Sequence, residues 1–104
     1  MNKEQFERAV AVVRADCEIR GLLRYEGKTC AVGALLSAAS VPDEELEGRS
    51  LLTIPWCRIL STVYGLPRRA VALLFEANDA AATVKERRIA VEAVLKSFCE
   101  VDDE

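Results

Sequence analysis

Histidine is absent from the 104-residue chain. With it go Cys-His and Ser-His nucleophile pairs and His-ligated metal sites. The four cysteines, Cys17, Cys30, Cys57 and Cys99, contain no C-x-x-C pair, so the short spacings of a zinc site are missing as well. They are too few and too scattered for a secreted disulfide scaffold, and read instead as small buried hydrophobes in a reducing compartment. No G-x-S-x-G or S-x-x-K marks another nucleophile. Carboxylates such as Asp16, Glu76 and Asp79 show no spacing that pairs two of them as acid and base. No apolar run approaches the roughly 20 residues that a bilayer requires. The opening Met-Asn-Lys-Glu-Gln-Phe-Glu-Arg lacks the apolar core of a signal peptide, so a cytoplasmic chain without membrane contact is expected. Basic residues are also in deficit, 14 against 17 acidic, for a net charge of −3. That balance disfavours a non-specific nucleic-acid coat or an anionic-membrane binder. The sequence therefore predicts no catalytic residue, no cofactor and no metal: a non-enzyme.

What the chain does have is apolar content, half of its residues, and helical periodicity. Thr29–Ala39 is apolar or small at almost every position and predicts a central helix buried on nearly every side. Its small residues, Ala31, Gly33, Ala34, Ser37 and Ala38, suit close approach by neighbouring helices. Before it, Phe6, Ala9, Val10, Val13 and Cys17 form the buried stripe of a first amphipathic helix over residues 3–20. Gly21 ends that helix, and residues 22–28 run extended through a turn at Glu26-Gly27. The polar connection over residues 40–50 holds at most one helical turn, after Pro42 and before Gly48. Leu51, Leu52, Ile54 and Trp56 lead as an apolar group into a third helix that starts near Pro55 and breaks at Gly65. A fourth helix runs from Pro67 to about Ala77 with Val71, Leu74 and Phe75 inward, closed by Asn78-Asp79. Thr83-Val84-Lys85-Glu86 is a capping box opening the last helix, whose buried face carries Val91, Val94, Leu95 and Phe98. The acidic tail from about residue 100 is expected to fray. The expectation is an all-α, single-domain compact bundle of about five helices around the buried central one.

Three stretches invite a functional reading. Residues 21–29 end in Gly-Lys-Thr like a phosphate-binding loop, but place five residues between the glycines where that loop has four, and an amphipathic helix precedes them. Residues 60–74 carry the small-residue, Gly65 and apolar spacing of a helix-turn-helix, with Arg68 and Arg69 at the start of the second helix as candidate nucleic-acid contacts. The rest of that helix offers Ala72, Leu73 and Glu76, poor partners for DNA. Lys85, Arg87 and Arg88 cluster on the last helix, where interleaved Glu86 and Glu92 suggest a salt-bridged surface.

Taken together, Cys30-Ala31-Val32-Gly33-Ala34-Leu35, Tyr64-Gly65-Leu66 and Asn78-Asp79, followed by the final helix, resemble small phage and bacterial helical proteins with a Cys-x-x-Gly-x-Leu segment. The chain departs from them in Ala31, where a second Cys is common, and in its long first helix. The resemblance implies a helical domain linked to mobile elements, makes Asn78-Asp79 a structural corner, and supplies no activity. The function expected is a protein-interaction module, binding a protein partner or itself. The alternative is a helix-turn-helix DNA-binding regulator using Arg68 and Arg69.

Overall fold

The structure, a computed structural model, describes residues 1–99. The expected frayed tail lies outside them. In chain order the elements are α1 (Lys3–Asp16), β1 (Arg24–Tyr25), β2 (Lys28–Thr29), α2 (Ala31–Ala38), α3 (Asp43–Leu46), α4 (Ile54–Tyr64), α5 (Arg68–Ala80) and α6 (Val84–Ser97). The described residues thus form a mostly helical globule with one small antiparallel sheet. They hold six helices where five were expected, because the turn after Pro42 closes as α3.

α1 opens on a capping box, Asn2 accepting from the Gln5 N–H while the Gln5 side chain accepts from the Asn2 N–H. It ends at Asp16, earlier than residue 20, because the chain beyond it is captured by Thr29. The Glu18 and Ile19 N–H groups both donate to the Thr29 carbonyl, at 2.7 and 3.1 Å, and the Thr29 hydroxyl donates to the Asp16 carbonyl at 2.8 Å. Thr29 and its neighbour therefore belong to β2 and the cap of α2, and the expected central helix begins only at Ala31. Across the hairpin Arg24 pairs with Thr29 and Tyr25 with Lys28. The two loop residues, Glu26 and Gly27, have φ of 51° and 82°, the double left-handed geometry of a type I′ turn.

Six consecutive residues of α2, Ala31–Leu36, are buried, and the helix touches α1, α4, α5 and β2. The most extensive helix pairing is a different one, α5 against α6. The buried side chains form a contiguous cluster that includes Val13, Leu23, Leu35, Leu60, Leu74, Val91 and Leu95. Gly33 explains why α2 sits so deep. A Cβ there would lie 1.9 Å from the Leu23 carbonyl oxygen, so its missing side chain admits the backbone before β1, not a neighbouring helix. That carbonyl accepts from the Cys30 N–H at 3.2 Å. Gly65 ends α4 in the left-handed region at φ 68°, and Thr83 caps α6 by accepting from the Glu86 N–H. The Glu86 carboxylate meets the Thr83 hydroxyl at 3.1 Å, completing that cap through the side chain.

Gly33→Ala is expected to lower unfolding free energy by about 3 kcal/mol or more, the upper range for overpacking against an immobile group. Gly27→Ala, which meets open space and strains only its φ, should cost about 1 kcal/mol. Urea unfolding of both checks the ranking, and equal losses would contradict it.

Candidate functional site

The helix-turn-helix candidate is α4, the turn Gly65-Leu66-Pro67, and α5. The cap at Thr53, whose hydroxyl accepts from the Trp56 N–H at 3.4 Å, fixes the phase of α4. Trp56, Leu60 and Tyr64 then point inward at steps of four, and the Tyr64 hydroxyl donates to the Leu35 carbonyl at 2.9 Å. The same phase turns Ile54, Arg58 and Ser61 outward. The expected apolar group leading into this helix is thus split. Trp56 is buried, whereas Leu51 is 79% and Ile54 60% exposed.

Arg68 and Arg69 are both exposed at the start of α5. They do not act as a pair. Arg69 lies over the ring of Phe98, the C-cap of α6, 5.3 Å from its centroid. Arg68 instead joins Arg58 along a groove of about 280 Å³ that is also lined by Ile54, Cys57, Leu66 and Pro67. That volume lies at the lower edge of the roughly 300–1,000 Å³ typical of small-molecule sites. A second hollow is lined by Glu45, Arg49, Thr53, Pro55 and Trp56. Exposed Ile54 thus lines a hollow that carries Arg58 and Arg68, and its neighbour Pro55 lines one that carries Glu45 and Arg49.

The remaining sequence candidates have structural roles. Residues 21–29 form the hairpin, with no phosphate-binding turn. Arg87 is 5% exposed, so its cluster is not the salt-bridged surface expected from the charge pattern. Its guanidinium donates to the carbonyls of Asn78, Glu18 and Ala81 at 2.9, 2.7 and 2.9 Å. Arg88 donates to the Cys17 carbonyl at 2.9 Å, and Glu92 pairs instead with Arg14 of α1, at 2.6 Å. Asn78 lies inside α5 with no exposed surface, so it is neither a corner nor left-handed. Asp79 accepts from the Gly21 N–H at 3.1 Å, which pins the loop after α1 and leaves the capping of α6 to Thr83.

Cys30 sits where a thiolate could be stabilised, at the N-cap of α2 with its sulfur accepting from the Gly33 N–H. Burial outweighs that. Desolvation pushes its thiol up to about 11, and the Cys17 thiol, also fully buried, up to about 11 for the same leading reason. Nucleophilic chemistry at Cys30 is thereby suppressed near neutral pH. Among the described residues no group of three or more His, Cys, Asp or Glu side chains could hold a metal ion, and no helix is long and apolar enough to cross a membrane.

No protein-family model, curated protein or solved structure matches the chain. Sequence reasoning missed the exposure of Ile54 because it groups with Leu51, Leu52 and Trp56 as one apolar entry into the helix. The signal that finds it is the helical phase after the Thr53 cap, which separates 54, 58 and 61 from 56, 60 and 64.

Two thiols should react with a disulfide reagent in the folded chain, those of Cys57 and Cys99, and two only as fast as the protein unfolds. Stability should also depend on pH. The unfolded chain releases the Cys17 and Cys30 protons near the ordinary 9.0 and the folded chain only near 11. Their contribution is full below pH 9 and falls as pH rises from about 9 to about 11. Urea titrations of the parent and of Cys30→Ala across that window check this, with a shallower decline expected in the variant.

Proposed function

We propose that this chain is a non-enzymatic protein-interaction module whose contact surface is exposed Leu51, Ile54 and Pro55 and the groove that Ile54 lines. The observation that carries the reading is the exposure of Leu51 and Ile54, two large aliphatic side chains, with Ile54 lining a groove that also holds Cys57, Leu66 and Pro67. A fold that buries Trp56 and Leu60 leaves these two in water, and exposed apolar groups with a polar rim mark protein contacts. Burying them would contribute roughly 1.5–3 kcal/mol each. A reducing compartment such as the cytoplasm suits the free thiols of Cys17 and Cys30. A link to phage or other mobile elements rests on the resemblance of the Cys30–Leu35 segment.

The second reading, a helix-turn-helix regulator, is favoured by the three-residue turn at Gly65 and by the exposure of Arg68. Against it, Arg69 is occupied by Phe98 and the outer face of α5 continues as Ala72, Leu73 and Glu76. Such a face offers base edges almost nothing.

A photo-crosslinking residue at position 54 of the full chain, with position 7 of α1 as the control, tests the choice in the cells that natively express it. The reading expects a covalent protein adduct at 54 that survives nuclease and is missing at 7. No protein adduct at 54 would contradict it. Nuclease-sensitive binding that is lost in Arg68→Ala, Arg69→Ala, with a reduced salt slope, would install the second reading instead.

A further inference from the structure

The groove between α4 and the start of α5 holds two arginines that the fold does not use. Arg58, Ser61 and Arg68 line it together with Ile54, Leu66 and Pro67, and among the described residues no carboxylate does. Elsewhere the chain answers its guanidinium groups. Arg14 and Arg24 meet carboxylates, Arg87 and Arg88 donate to carbonyls, and Arg49 shares its hollow with Glu45. The side chains of Arg58, Arg68 and Ser61 make no hydrogen bond or ion pair among the described residues. The chain as a whole is acidic, with a net charge of −3, so this positive groove is a local property. Screening confines its pull to about 8 Å at physiological ionic strength, and a ligand must therefore bring its acid into the groove itself.

We infer that the groove binds a segment of another protein in which an aliphatic side chain is flanked by acidic residues, the carboxylates meeting Arg58 and Arg68 and the aliphatic group covering Ile54. This rests on the interaction-module reading and gives that module's partner its chemistry. Guanidinium groups recognise carboxylates through paired N–H donors, which supplies the charged half of the match. The apolar half comes from Leu66, Pro67 and Ile54, the last of them 60% exposed. A free inorganic anion would satisfy the arginines and leave Ile54 in water. A peptide satisfies both. A nucleic acid does not fit, because the outer face of α5 beyond Arg68 continues as Ala72, Leu73 and Glu76.

Amide chemical shifts of the full chain test the inference, followed as a short synthetic peptide with two leucines between pairs of glutamates is added to millimolar concentration. Shifts should cluster at Ile54, Cys57, Arg58, Ser61 and Arg68, and binding should weaken as salt is raised. The same peptide with Gln for every Glu should bind about tenfold more weakly or worse, and so should one with Gly for both leucines. Arg58→Glu, Arg68→Glu should keep its circular dichroism spectrum, lose about tenfold or more in affinity for the acidic peptide and gain affinity for a version with Lys in place of Glu. Lys28→Glu, Lys85→Glu makes the same change in net charge outside the groove and should bind like the parent. The absence of clustered shifts overturns the inference, and so does an equal response to the Gln peptide or an equal loss in the two double variants. Shifts at these residues that appear on concentrating the chain alone, with no response to the peptide, would replace the acidic segment by a second copy. A peptide that fails while position 54 still crosslinks to another protein removes the acidic partner and leaves the interaction module standing; failure of both removes the module as well.

Discussion

The fold depends on one buried carboxamide and the arginine beside it. Asn78 has no exposed surface, and its Oδ1 accepts from the Ala31 N–H at 3.0 Å and from the Cys17 thiol at 3.2 Å. Its Nδ2 donates to the Ile19 carbonyl at 3.0 Å and to the Asp79 carboxylate at 2.9 Å. Its backbone carbonyl receives Arg87, which also holds the Glu18 and Ala81 carbonyls. Through two side chains the start of α2, the exit of α1, the end of α5 and the first turn of α6 are tied to one point. Elements brought together in this way share no hydrogen bonds of regular structure, so the network supplies what a sheet ladder supplies elsewhere. Among the described residues no buried side-chain polar atom is left without a partner. A buried polar network is stabilising only on that condition, since each orphaned group costs about 1–3 kcal/mol.

The second constraint follows from the first. With the exit of α1 fastened to α5 and α6, the backbone at Leu23 crosses directly over α2, and only glycine at position 33 admits it. Thr29 then pulls the chain after α1 into a short extended layer, which the hairpin and the bridge from Arg24 to Glu47 continue. Both edges of the two-residue strands are thus covered within the chain. α4 packs on the core through Trp56, Leu60 and Tyr64, and its opposite face is left to water.

The elements written in local chemistry were legible in the sequence. Gly65 in the left-handed region, Pro67 before α5, Thr83 capping α6 and the single turn after Pro42 each follow from one or two residues and their neighbours. The hairpin was legible only as a turn, because strands of two residues carry no alternation to read. Arg87 and Asn78 were misplaced for a different reason. A basic residue among glutamates, and an Asn near a helix end, look like surface and corner unless the carbonyls that receive them are known, and those carbonyls come from residues 18 to 81 along the chain. Leu51 and Ile54 failed in the opposite sense: both are apolar, and hydropathy alone assigns apolar residues to the core. Phase decided the place of Ile54, and phase depended on which residue capped α4. The Arg68 and Arg69 pair was legible as exposed, but adjacent positions diverge by about 100° around a helix, which sends Arg69 to Phe98 and Arg68 to the groove.

The unfolding free energy of Asn78→Asp at neutral pH tests the account most directly. The substitution keeps size and keeps the Oδ1 that receives Ala31 and Cys17, while replacing the donor to Ile19 and Asp79 by a second acceptor and adding a buried charge. A loss of about 3 kcal/mol or more, partly recovered as pH falls and the new carboxyl regains a proton to donate, is the predicted result. A variant within about 0.5 kcal/mol of the parent, the range of an ordinary surface substitution, would show that the helices hold together without this network and would contradict the account.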